Sequence, residues 1–380
     1  MLRYCSIILC FAVAALVVLG LVMLTSTGPW VPGADEMYGT VKKQAAMAVV
    51  GIVCAVVASR LPDTPMRRLW PWALSGCCVL LILCYVPGIG IEIYGSKRWI
   101  HMPVIGQFQP SELARLLGAV SLSAWFARWQ TETRTFWKGF VLPGMIIGVP
   151  ILLIAGETDV GTALSMSVGC AAIFFCAGTR LLYLVPTALT AMSGAAFYIY
   201  NNENRMSRIQ AWLDLEGNQL GKGMQQWRAL LAFGNGGPTG VGLGNGAEKF
   251  GTLTFAHIDF IFPEIGEELG LWGTLLTVLC YVLIAVCGIG IAMQAQTMFS
   301  RLLAIGLTCM IVVPAIQNIA VTTALLPNDG LPLPFVSYGG SSIVFALIGV
   351  GLLVGIHRKA CPEEVPELAL CRQKKHAIRL

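Results

Sequence analysis

The sequence predicts an all-α, polytopic membrane protein of about ten transmembrane helices. Of its 380 residues, 56% are hydrophobic and only 12% are charged, where soluble domains carry roughly 25% charged residues. The mean hydropathy is +0.73. Apolar runs recur along the whole chain, and a helix needs about 20 such residues to cross a bilayer core. The 42 glycines and 19 prolines fit this class, because both are commoner in membrane helices than in soluble ones.

The runs fall at about 5–25, 44–61, 70–86, 110–126, 138–155, 159–178, 181–199, 263–292, 301–322 and 337–356. The first follows Arg3 like a signal sequence, but it is long and lacks a small-x-small cleavage site, so it reads as a retained first helix. An even number of crossings puts both termini on one side. Arg3, Arg60, Arg67, Arg68, Arg128, Arg134, Lys138, Arg180, Arg301 and the basic tail at about 357–380 share that side, and they outnumber the cations opposite. By the positive-inside rule, which discounts long loops, both termini are cytoplasmic. Segments 87–109, 156–158, 200–262 and 323–336 then share the outer face, the large loop at about 200–262 lying between helices 7 and 8. No repeat and no soluble domain interrupts the chain, so residues 1–380 read as a single transmembrane domain. The net charge of +5 is no signal for nucleic acid. The thirteen cysteines lie in apolar runs or the tail, which argues against a disulfide framework or thiolate metal site.

The outer segments carry the unusual residues. Lys97, Arg98 and Trp99 put two cations beside an indole, which suits a phosphate or headgroup as well as an interfacial anchor. Gln109, Pro110, Ser111, Glu112 and Arg115 follow at the mouth of the fourth helix: Pro110 fits its first turn, Ser111 could cap it, and Glu112 and Arg115 are spaced to pair. Glu157 and Asp159 crowd a short turn, where Asp159 is placed to cap the sixth helix. In the long loop, residues 204–212 read as a short interfacial helix, and the glycines of 234–246 as a tight connector. Lys249, His257 and Asp259 precede a helix that opens with Glu264, Glu267 and Glu268. Three glutamates entering the membrane suggest a polar, water-reachable cavity. Before the last helix, residues 326–342 are proline-stiffened, and Ser337, Gly339 and Gly340 permit close packing at its start.

Gly95–Ile100, Gln109–Glu112, Asp159–Thr162, Gly234–Gly244, His257–Gly270 and Leu331–Ser342, in this order, resemble the SEDS family (RodA/FtsW/SpoVE) of bacterial shape, elongation, division and sporulation proteins. Gly242–Asn245 and Ile265–Glu268 resemble its division branch more than its elongation branch. The chain departs from the family pattern at Glu157-Thr158 (usually Gln-Pro), Ile258 (Thr) and Arg115 (commonly Lys).

The resemblance implies a peptidoglycan glycosyltransferase of the bacterial cytoplasmic membrane that polymerises lipid II on the outer face. It implies work with a class B penicillin-binding transpeptidase among divisome or elongation-complex membrane proteins. Joining a 4-hydroxyl to an anomeric carbon, with undecaprenyl pyrophosphate leaving, inverts that carbon and needs one general base. Asp259 is the family-matching carboxylate for that role, although a helix cap is its plain alternative. Lys97, Arg98 and Lys249 are candidates for the pyrophosphate, Trp99 for the sugar or headgroup, with His257 and Ser337 also in the substrate-binding set. Gln109, Ser111, Glu112, Arg115, Asp159, Glu267, Glu268, Gly339 and Gly340 would shape the cavity. No cofactor is evident; a divalent cation on the pyrophosphate is chemically sensible, but no metal-ligand spacing marks a site. A lipid II flippase or transporter and a non-catalytic divisome scaffold are the competing readings. The clustering of polar motifs at one face, without repeated halves, favours chemistry over transport.

Overall fold

The computed structural model describes residues 4–27, 38–93, 96–102, 106–157, 159–249 and 258–360. The apolar runs all become helices: α1 (Cys5–Thr27), α2 (Gly39–Arg60), α3 (Asp63–Cys84), α4 (Pro110–Arg128), α5 (Leu142–Gly156, entered through a π-helical turn at Trp137–Val141), α6 (Val160–Cys176) and α7 (Leu181–Tyr200). The long loop contributes α8 (Glu203–Leu213) and α9 (Met224–Gly236), and α10 (Ile261–Gln294), α11 (Met298–Thr322) and α12 (Gly340–Ala360) complete the chain. Among the described residues, eight helices rather than ten are long and apolar enough to cross a membrane. The other two, α4 and α6, are shorter or carry charge, and both lie largely buried inside the bundle.

Small residues bring the helices together where lipid supplies no hydrophobic drive. A side chain at Gly351 or Gly355 of α12 would strike the backbone at Ala55 or Ser59 of α2. At the C-terminal end of α12, Arg358 donates to the Ser59 carbonyl at 3.1 Å and Lys359 pairs with Asp63. Helix α11 packs against α4, α6, α10 and α12. Pro314 removes the N–H that the Met310 carbonyl would otherwise accept. Arg115 of α4 donates to that same carbonyl, so an ion-paired side chain satisfies the orphaned backbone group. Helix α7 buries none of its residues, and its contacts are chiefly with α8.

Two features depart from the expected all-α chain. First, the α3–α4 connection folds into an antiparallel sheet, β1 (Gly90–Ile93), β2 (Ser96–Met102) and β3 (Gly106–Phe108), in the order β1-β2-β3. The alternation behind it is short but legible: the cross-strand pair Ile100 and Phe108 is buried, while the next pair, His101 and Gln107, is exposed. Phe108 docks edge-on against Phe345 of α12 at 5.8 Å and fixes the sheet to the bundle. Second, α10 is interrupted at Gly270, whose φ of +69° no L side chain adopts easily. The carbonyls of Glu267 and Glu268, freed by the kink, accept the N–H groups of Val241 and Gly242 at 2.9 and 3.0 Å. The glycine-rich connector of 234–246 is therefore a lining for a broken helix.

Candidate active site

The N-terminal ends of α6 and α10, the C-terminal end of α11, helix α8, β2 and the α11–α12 loop bring together charges that lie far apart in sequence. Asp159 caps α6 by accepting from the Thr162 N–H at 3.2 Å. It also accepts from Gln109 Nε2 at 3.2 Å and stands 3.5 Å from the Arg98 guanidinium. Asp329 lies beside α6, where a Cβ on Gly161 would come within 3.2 Å of its Oδ2. Asp259 lies beside the next residue of that loop, since a Cβ on Gly330 would stand 3.7 Å from its Oδ2. Asn318 of α11 joins these strands of the site by donating at 2.7 Å to both the Asp259 and Leu331 carbonyls.

Asp259 does not cap α10, whose N-cap residue is Phe260 without a side-chain cap. Its Oδ1 is buried and has no hydrogen-bond partner among the described residues. Burial, with repulsion from Asp329, pushes its pKa up to about 7, against attraction from Arg208 and a local backbone hydrogen bond. Burial likewise pushes Asp329 up to about 6. Arg208 of α8 lies in the field of both aspartates and of Arg98 and Arg205; burial, then these two like charges, lower its pKa. The amphipathic helix expected at 204–212 forms, capped by Asn202; its Arg208 reaches this cluster, while Arg205 lies over the Tyr198 ring at 5.1 Å. Trp212 Nε1 anchors it there by donating to the Ala324 carbonyl at 2.8 Å, and Gln226 of α9 ties the next helix to the same region, its Nε2 donating to the Val321 and Leu326 carbonyls, each at 2.8 Å.

The family model of the FtsW/RodA/SpoVE cell cycle proteins matches residues 7–361. The chain belongs to this family. It is 36% identical over 357 residues to a probable peptidoglycan glycosyltransferase FtsW of Geobacter sulfurreducens, covering 93% of this chain and 95% of that protein. It is 36% identical to a probable peptidoglycan glycosyltransferase FtsW of Pseudomonas fluorescens, over 90% of this chain and 85% of that one. Among solved structures, it matches a chain from a peptidoglycan synthase complex that coordinates polymerization and crosslinking, with TM-score 0.78, 26% identity, and 93% and 98% coverage. It also matches the rod shape determining protein RodA of Thermus thermophilus, with TM-score 0.67, 26% identity, and 93% and 97% coverage.

Within this FtsW/RodA/SpoVE fold, several expected site residues take structural positions. Lys249, expected on a pyrophosphate, is buried in an ion pair with Glu268 at 2.7 Å, their side chains 2% and 0% exposed. Glu268 also accepts from the Gly244 N–H at 3.0 Å, while Glu267 accepts from the Ala247 and Glu248 N–H groups at 3.0 and 3.3 Å. These glutamates therefore bind the glycine-rich connector rather than line the expected water-reachable cavity. Ser111 does not cap α4; its hydroxyl is buried without a hydrogen bond, and Gln109 is the N-cap residue. Glu112 and Arg115 pair as expected, at 3.1 Å. Ser337 is buried, its hydroxyl accepting from the Leu333 N–H at 2.8 Å. Gln44 clamps this turn, donating to the Ser337 carbonyl at 3.1 Å and accepting from the Gly339 N–H at 3.2 Å, with Gly340 opening α12. Trp99 sits half-buried on the middle strand. His257 and the Lys97 side chain lie outside the described residues.

Arg208, Asp329 and Asn318 join the site, and Arg205 and Gln44 flank it, without a motif in the sequence that marks them for it. Arg205 and Arg208 were legible as an interfacial helix, and Asp329 as a carboxylate between prolines. Gln44 and Asn318 offered one signal, an isolated amide in an apolar run.

Proposed function

We propose that this chain is a peptidoglycan glycosyltransferase that polymerises lipid II at the outer face of the cytoplasmic membrane in cell division, working with a class B penicillin-binding transpeptidase. The names of its relatives support the activity, and the peptidoglycan synthase complex that shares its fold, which couples polymerization to crosslinking, supports a crosslinking partner. The observation that carries the mechanism is Asp259: a carboxylate with a free, buried oxygen, poised near neutrality and in the field of Arg208.

In the proposed reaction, Asp259 removes the proton from the acceptor 4-hydroxyl as that oxygen attacks the anomeric carbon and the pyrophosphate departs from the opposite side. A base with a pKa near the working pH is half available and still basic enough to help. Arg98 and Arg208 replace Lys249 as the pyrophosphate cations, with Arg205 behind them; guanidinium forks match phosphate oxygens. Asp159 orients Arg98, and Asp329 raises the proton affinity of Asp259. Among the described residues, no group of three His, Cys, Asp or Glu side chains is placed to hold a metal ion. A divalent cation is retained as part of the proposal, carried on the pyrophosphate oxygens.

The test is glycan-chain formation from purified lipid II by the full chain with its transpeptidase. Polymer from the wild type supports the reading. No polymer from folded wild-type protein with its bound partner points to the transporter or scaffold alternatives.

A further inference from the structure

A basic cavity lies at the opposite end of the helix bundle. The start of α3 and the end of α4 enclose an open cavity of about 600 Å³, lined by Thr64, Arg67, Arg68, Trp70, Trp125 and Arg128 among others. The charge asymmetry of the chain puts this face in the cytoplasm. Cytoplasmic arginines are ordinary, but three that converge on one concavity beside indole rings are a more specific arrangement.

Among the described residues none of the three is paired with a carboxylate. The nearby acids are already engaged: Asp63 by Lys359 and Ser300, and Glu132 by Lys138. Arg67 lies over the Phe299 ring at 6.0 Å and Arg128 over Trp129 at 5.6 Å, contacts that orient the guanidinium groups without neutralising them. Trp70 and Trp125 put indole rings in the lining itself, and Trp72 of α3, next to the lining residue Pro71, is 79% exposed. Apolar and indole surface beside three free cations fits acyl chains below and an anionic headgroup above.

We propose that this cavity binds the phosphate of an anionic phospholipid in the cytoplasmic leaflet. The shared chemistry is a phosphate held by guanidinium forks; the lipid-facing surface beside it favours a headgroup over free phosphate. Bound there, the lipid would tie α3 to α4, the helix that carries Glu112 and Arg115 and begins beside Gln109.

The test uses the full chain in neutral detergent. Retention of short-chain phosphatidylglycerol is measured by native mass spectrometry, together with the rise in unfolding temperature it causes. Phosphatidylcholine, inorganic phosphate and a polyglutamate peptide are parallel probes. The triple variant Arg67→Gln, Arg68→Gln, Arg128→Gln is compared with Arg134→Gln, Arg180→Gln, Arg301→Gln, which removes equal charge from the same face away from the cavity. Both variants should unfold like the wild type without lipid, which separates binding from folding. Phosphatidylglycerol, and not phosphatidylcholine, should bind. The cavity variant should bind it at least about tenfold more weakly, the scale of one lost charge-assisted contact. The control should stay within about twofold of wild type. Equal weakening in both variants, or no weakening in the first, would overturn the site. Inorganic phosphate as effective as the lipid would overturn its assignment to a phospholipid, and preferential capture of the peptide would overturn it in favour of an acidic protein segment.

Discussion

At the scale of single residues, Asp259 joins function to a stability penalty. Its pKa rises from 3.8 to about 7 on folding, mainly through burial. Below about pH 3 the carboxyl is protonated in both the folded and unfolded chain, and nothing is lost. As pH rises to about 7 the unfolded chain ionises first, so the native state loses stability progressively, and the full penalty stands above pH 7. Asp259→Asn is therefore expected to raise the unfolding temperature at pH 8 and to leave it nearly unchanged at about pH 3, read by thermal unfolding in detergent. The buried pair Lys249–Glu268 has the opposite character. Lys249→Met strands a buried carboxylate that also holds the connector, and is expected to cost about 3–5 kcal/mol. Adding Glu268→Leu should recover part of that loss, which a double-mutant cycle on unfolding measures.

At the scale of elements, the connector of 234–246 and the kink of α10 are one unit. Gly240 has a φ of +78°, and a Cβ there would collide with the Glu268 backbone. Gly240→Ala should therefore cost more than the roughly 1–2 kcal/mol of a left-handed L-residue, because the obstruction is main chain and cannot rotate away. Thermal unfolding and proteolysis of the long loop are the readouts; Gly244→Ala, with open space around its Cβ, should pay only the conformational part. Such elements show how far the sequence could be read. The helical runs, the Glu112–Arg115 pair and the Asp159 cap follow from local spacing and were legible. The sheet rests on so short an alternation that its loop composition hides it. The destination of Glu267 and Glu268 depends on a backbone kink that only the folded connector makes necessary, so a glutamate lining a cavity and one binding loop amides look alike in sequence.

At the scale of the whole molecule, the fold places a carboxylate–arginine cluster at one face and a basic cavity at the other. A cysteine introduced at Ser207 of α8 should react with a membrane-impermeant thiol reagent added outside the cell, and one at Arg180 before α7 should react only after the inner face is opened. The reverse pattern would invert the assigned orientation. Family membership was legible because its motifs span the chain in order. The arginines were harder to place: α8 and α9 must fold over the α11–α12 loop before Arg208 faces Asp259, and no local pattern encodes that docking.

The most direct test of Asp259 as the general base is the rate of glycan-chain synthesis from lipid II across pH 5.5–8.5, for wild type and Asp259→Asn at matched levels of folded, partner-bound protein. The wild-type rate is expected to rise through an apparent pKa near 7, and the Asp259→Asn rate to be lower by about 10²–10⁴-fold, the usual contribution of a general base, without that titration. An Asp259→Asn enzyme that makes chains at the wild-type rate, with the same pH profile, would contradict that role.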